Sequence, residues 1–186
     1  MPYSYLHPLL RAAQTPAAPP TRAGIRLIPA AGQSIMLKVN GKERQAQVTP
    51  ATTLLDALRE GMDLTGSKQV CDRGACGACT VLLDGRSINS CMLLAVDAIG
   101  HEVVTVEGLA KGDALHPVQQ AFVDHDACQC GYCIPGFVVR STALLKENPK
   151  PTLDEIRRGL SGNLCRCAAY VQIVEAVSAA AKGGVA

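Results

Sequence analysis

Eight of the nine cysteines in this 186-residue chain fall into two spaced sets, and no other feature narrows its fold and chemistry so far. Cys71, Cys76, Cys79 and Cys91 run C-x4-C-x2-C and then, after eleven residues, a fourth cysteine. That opening is the plant-type spacing for a 2Fe-2S centre. The residues between suit it. Gly74 and Gly77 allow positive φ and close backbone approach, while Ala75 and Ala78 keep bulk away. C-D-R-G-A-C-G-A-C-T therefore reads as a backbone collar whose N–H groups face an anionic cluster. A four-cysteine zinc site is the competing reading, but it usually shows two short C-x-x-C knuckles, not three cysteines in one loop and a fourth on a returning strand. Disulfide scaffolds are usually shorter, and an odd total leaves one thiol unpaired.

The second set is Cys130-Gly131-Tyr132-Cys133 and, after 31 residues, Cys165-Arg166-Cys167. C-x2-C alone fits half a zinc site or a redox pair, and only the distant C-x-C makes it fourfold. Each pair precedes an expected helix, before Pro135 and before Tyr170, where free N–H groups and the positive dipole end favour negative charge. An oxidised 2Fe-2S core with four thiolates carries a formal charge of about −2, so two of them take the chain from +2 to about −2. Cys128 completes no set and reads as a buried or bystander cysteine, with an alternative ligand or an oxidation-sensitive site as the other reading.

Composition excludes several other classes. Hydrophobic residues at 48% and charged residues at 18% give a globular balance, not a disordered one. With aromatics at 3%, no Trp and a net charge of +2, the chain lacks both the stacking surface and the electrostatic field of a nucleic-acid binder. No stretch approaches the roughly 18 apolar residues of a membrane span. There is no internal repeat, phosphate loop, Ser/His/Asp set or pair of catalytic carboxylates, so substrate chemistry is expected in another chain. His101, His116 and His125 are scattered and read as surface or capping residues, and Lys68, Arg73 and Arg166 as solvated charges.

Residues 1–33 are Pro/Ala-rich without Asp or Glu and form an expected extended arm lying on a partner or on the body of the protein. Without an apolar signal core or a twin arginine, a cytoplasmic location is expected, with the periplasm as the alternative. Residues 34–108 alternate as strands. Ile35 to Val39 meets Asn40-Gly41, a type I′ turn signal, and returns to Val48; Thr80 to Leu83 turns at Asp84-Gly85 and returns to Ser90; Val103 to Val106 is the last strand. Thr53 to Asp56 is a capping box opening a short helix toward Gly61. Residues 109–186 turn helical, with helices from Pro117, from Phe137 to Lys146, after the box Thr152 to Glu155, and from Tyr170 to Ala181. The fold class is thus α+β, a small sheet domain followed by four helices with short loops, a compact bundle.

Three segments in this order, Cys71 to Thr80, Q-C-G-Y-C-I-P-G from Gln129 to Gly136, and G-N-L-C-R-C from Gly162 to Cys167 with Tyr170, resemble the small iron-sulfur subunit of the xanthine oxidase family of molybdenum hydroxylases. The resemblance covers about residues 34–181 and implies a plant-ferredoxin-like β-grasp domain followed by a four-helix bundle. It implies two 2Fe-2S clusters, one on Cys71, Cys76, Cys79 and Cys91 and one on Cys130, Cys133, Cys165 and Cys167. Gln129 matches the family glutamine that contacts the molybdenum-pterin cofactor, which a large partner subunit binds. A flavin subunit or a cytochrome is the implied acceptor. The alternative is a free-standing two-cluster ferredoxin-like carrier, against which the appended helical domain counts.

Overall fold

The computed structural model of this protein describes residues 28–184, so most of the expected arm lies outside the described residues. Strand β1 (Gln33–Val39) turns at Asn40 and Gly41, whose φ values of 53° and 72° are those of a type I′ turn, into β2 (Lys42–Val48). The alternation predicted for β1 is seen, with Ile35, Leu37 and Val39 buried and the intervening side chains outside. Strands β3 (Thr80–Leu83) and β4 (Arg86–Asn89) form the second hairpin, closed by Asp84 and Gly85, both at positive φ. With β5 (Glu102–Val104) they complete a five-stranded sheet in the order β2-β1-β5-β3-β4, in which only β1 and β5 run parallel.

Two expectations shift. The last strand does not reach Val106: it ends at Val104, because the Thr105 N–H donates to Asn40 Oδ1 at 2.9 Å and leaves the ladder, and Val106 opens a 3₁₀ turn. Helix α1 (Leu54–Asp56), capped by the Thr53 box, continues to Gly61 as a π turn rather than as regular α-helix. Leu54 and Leu58 from this segment fill a core against Ile35, Leu37, Val39, Val81 and Val103.

Four helices follow: α2 (Pro117–Asp124), α3 (Ile134–Glu147), α4 (Leu153–Gly159) and α5 (Tyr170–Gly183). Gly184, at φ 76°, closes α5, which runs two residues past the expected end at Ala181. Their shared core holds Val118, Phe122, Phe137, Leu145, Ile156 and Ile173, and it also takes Leu82 from β3. Because successive strand residues face opposite sides, Val81 packs on the α1 side and Leu82 on the α3 side. β3 is therefore the seam between the two halves, and it leads directly out of the first cysteine loop. Among the described residues no helix is long and apolar enough to cross a membrane.

Candidate metal centres

The first cysteine loop is wound by residues that accept positive φ: Asp72 at 54°, Gly74 at 70° and Gly77 at 70°. The winding turns backbone N–H groups inward. Gly74 N–H donates to Cys91 Sγ and Ala75 N–H to Cys71 Sγ, each at 3.3 Å. The collar read from the glycines is therefore present as hydrogen bonds to sulfur. Asn89 Nδ2 holds the Gly74 carbonyl at 3.0 Å, and the Ser90 hydroxyl donates to the Cys79 carbonyl at 2.7 Å, which seats Cys91 opposite the loop. Leu55, fully buried, covers Cys79 and Cys91.

The second set is carried by helix starts. Cys133 is the N-cap of α3, with Pro135 in its first turn, and Cys165 and Cys167 lie just before Ala169, the N-cap of α5. Cys165 N–H donates to Tyr170 Oη at 2.9 Å, and Tyr170 stacks edge-on to Phe137 at 6.3 Å between centroids. Cys165 is buried and Cys130 exposed, so this set reaches from the core to the surface.

The thiols associate in twos: Cys71 with Cys76, Cys79 with Cys91, Cys130 with Cys167 and Cys133 with Cys165. Among the described residues no three His, Cys, Asp or Glu side chains converge at the spacing of a single ion. Pairs are what a two-iron core takes, two thiolates to each iron. Acidity is graded within each set. The backbone N–H of Arg73 leads in bringing the Cys71 thiol down to about 7, and that of Tyr132 leads in lowering Cys130. Burial, reinforced by Cys79, lifts Cys91 to about 11, and burial, reinforced by Cys165, lifts Cys133 to about 12. Buried thiols of this kind ionise when a cation supplies the missing charge, so both donor sets fit an iron-sulfur core.

The halves meet at these loops. Leu164 N–H donates to the Cys76 carbonyl at 2.9 Å, and Asn163 Nδ2 donates to the Gly77 carbonyl at 3.0 Å. A Cβ on Gly136, in the first turn of α3, would stand 2.3 Å from the Gly77 oxygen. Tyr132 Oη donates to the Gln69 carbonyl at 3.4 Å, with the Lys68 ammonium 5.9 Å from its ring centre. Asn163, Leu164, Gly136 and Tyr132 stand inside the recognised motifs, yet sequence reasoning assigns them no contact with the first loop. A single chain carries no sign of pairings 59 to 88 residues apart except those letters themselves.

The remaining candidates are placed as follows. Gln129 is exposed beside Cys130. Cys128 is exposed, with its sulfur turned back toward Gly131 and its own neighbour's carbonyl. His116 caps α2, His125 closes it, and His101 pairs with Asp84 on the surface. Arg73 Nε donates to the Cys71 carbonyl at 3.2 Å, Lys68 Nζ to the Thr65 carbonyl at 2.6 Å, and Arg166 is solvent-exposed.

Residues 37–132 match the model of the 2Fe-2S iron-sulfur cluster binding domain, and residues 105–178 that of the 2Fe-2S binding domain. The aldehyde oxidoreductase iron-sulfur-binding subunit PaoA of Escherichia coli strain K12 is 47% identical over 192 residues, covering 95% of this chain and 80% of that protein. The xanthine dehydrogenase iron-sulfur-binding subunit of Escherichia coli O157:H7 is 50% identical over 146 residues, covering 77% of this chain and 91% of that protein. Among solved structures, quinoline 2-oxidoreductase from Pseudomonas putida 86 superposes with a TM-score of 0.78 at 45% identity, over 82% of this chain and 95% of that one.

Proposed function

Because the chain belongs to the iron-sulfur subunits of the xanthine oxidase family of molybdenum hydroxylases, we propose that its eight paired thiols hold two 2Fe-2S centres, one on Cys71, Cys76, Cys79 and Cys91 and one on Cys130, Cys133, Cys165 and Cys167. The protein is the electron-transfer subunit of an oxidoreductase complex. Each bound centre supplies a one-electron couple in a relay from a molybdenum site, where substrate gives up two electrons, to an acceptor.

The observation that carries this reading is the join between the two sets. Cys165 follows Leu164, whose N–H holds the Cys76 carbonyl, so one peptide and one hydrogen bond connect a thiolate of each set. In the proposed assembly Gln129 faces the molybdenum-pterin cofactor of a large subunit. Cys130 is its neighbour in the chain, about 3.8 Å away between Cα atoms, so the second set stands at the entry and the first set toward the acceptor. The acceptor is a flavin subunit or a cytochrome. The sheet with α1 forms the β-grasp domain over 34–108, and α2 to α5 form the helical bundle that follows from 109.

Iron and acid-labile sulfide in the purified complex test the ligand reading, with about four of each expected per chain. Stoichiometric zinc without labile sulfide overturns it. Cys128→Ser is expected to keep all of the iron. For the order, Cys76→Ser is expected to leave single-turnover reduction of molybdenum by substrate intact and to stop steady turnover with the external acceptor. Loss of the single-turnover step in that variant, with Cys130→Ser sparing it, reverses the order.

A further inference from the structure

Two consecutive N–H groups of the first cysteine loop end on sulfur: that of Gly74 on Cys91 Sγ and that of Ala75 on Cys71 Sγ, each at 3.3 Å. Both peptides flank Gly74, and nothing within that residue fixes how they are turned. It stands at φ 70°, where glycine moves most freely, and it has no side chain to anchor, since a Cβ would stand 2.9 Å from Met92 Cγ. The anchor comes from outside the loop. Asn89 Nδ2 donates to the Gly74 carbonyl at 3.0 Å, and among the described residues no other donor reaches that oxygen. Asn89 is itself held in place, as the last residue of β4, paired opposite Thr80 and two residues before Cys91. The Gly74–Ala75 peptide is planar and trans, so holding its oxygen also fixes the direction of the Ala75 N–H, which leaves on the opposite side toward Cys71 Sγ. A carbonyl that accepts a hydrogen bond also polarises the N–H of the same amide and makes it a better donor.

We infer that Asn89 is a positioning residue for the Cys71–Cys91 centre: by holding the Gly74 carbonyl it keeps the Ala75 N–H on Cys71 Sγ and the Gly74 N–H on Cys91 Sγ, and it raises the reduction potential of that centre. The inference rests on the ligand reading above. Reduction adds a negative charge that the sulfurs share, so N–H bonds to them stabilise the reduced state more than the oxidised one. Loosening those bonds moves the potential downward. The next residue supplies a contrast. Ser90 Oγ holds the Cys79 carbonyl at 2.7 Å, but the N–H of that peptide belongs to Thr80 and donates at 3.1 Å to the Gly77 carbonyl, which it shares with Asn163, and not to a sulfur. The Ser90 contact therefore seats Cys91 without tuning the centre.

Redox potentiometry of the intact complex, followed by electron paramagnetic resonance, tests this, with the first-centre signal identified as the one lost or altered in Cys76→Ser. In Asn89→Leu, which keeps the shape of the side chain without its donor, and separately in Asn89→Ala, the ratio of reduced to oxidised first centre at the wild-type midpoint is expected to fall roughly three- to tenfold, a tenfold fall being about 59 mV for one electron. The second signal is expected to keep its midpoint and iron to stay full. Ser90→Ala is expected to leave both midpoints in place. Should one Asn89 variant lose iron, the other decides; loss of iron from both makes the contact purely structural and overturns the inference. An unmoved first signal, an upward shift, an equal shift of both signals, or the same shift in Ser90→Ala overturns it as well. Wild-type complex without two such signals overturns the ligand reading instead.

Discussion

Gly77 stands at φ +70° with its Cα facing the other half of the protein, and a Cβ there would lie 2.6 Å from Asn163 Nδ2 and 2.7 Å from the Gly162 oxygen. A non-glycine residue in the left-handed region costs about 1–2 kcal/mol before any contact is counted. The Gly162 oxygen is backbone and yields only if the whole docking loop moves. Gly77→Ala is therefore expected to lower stability by about 1–3 kcal/mol and to empty the first centre selectively, with iron falling toward half. Iron analysis and a urea midpoint check it; full iron at unchanged stability contradicts the assigned role. The glycine was legible as a collar residue from its place in the cysteine loop. Its second constraint, the approach of Asn163, was not.

His116 shows how an element can carry a pH dependence of its own. Its Nδ1 accepts the Val118 N–H at 3.2 Å while Gln119 Oε1 returns a bond to the His116 N–H at 2.9 Å, a capping box built on histidine. Accepting requires an unprotonated Nδ1, and burial, followed by the charge of Lys111, pushes the imidazole pKa below its ordinary 6.5. The unfolded chain therefore takes up the proton first. The contribution of the cap is complete above about pH 6.5 and is lost as pH falls through the lower folded-state pKa. Urea unfolding at pH 7.5 and pH 6 is expected to show a loss on the order of 1 kcal/mol that His116→Asn, a cap that does not titrate, abolishes. An identical slope in the variant places the titration elsewhere. The Thr53 and Thr152 boxes, by contrast, follow the ordinary pattern and were readable from spacing alone.

Gly136 sets local propensity against whole-molecule packing. Inside α3, alanine should be the better helix former by up to about 1 kcal/mol. Its Cβ, however, would stand 2.3 Å from the Gly77 oxygen and 3.1 Å from Ala78 Cα, both backbone atoms of the other half. Overpacking of this kind costs about 1–3 kcal/mol and here has no flexible side chain to absorb it. Gly136→Ala is expected to destabilise the complex and to disturb the first centre, although the residue belongs to the helix that carries the second. A spectrum changed only at the second centre would mean that the seam along β3 does not couple the halves.

The short cysteine intervals within each loop, the strand alternation, both hairpin turns and the helix caps are local facts, written in intervals of one to five residues, and the amino-acid order by itself determined them. So was the family, because three short motifs in register leave little else. What only the tertiary structure decided is which thiols meet, how the Gly77 carbonyl is shared, and that Leu164 lies on Cys76. The end of β5 at Val104 was settled in the same way, by Asn40 reaching Thr105 from 65 residues away. The reason is physical: period and propensity act along the chain, whereas hydrogen bonds and excluded volume act through space between segments whose separation in sequence no periodicity records.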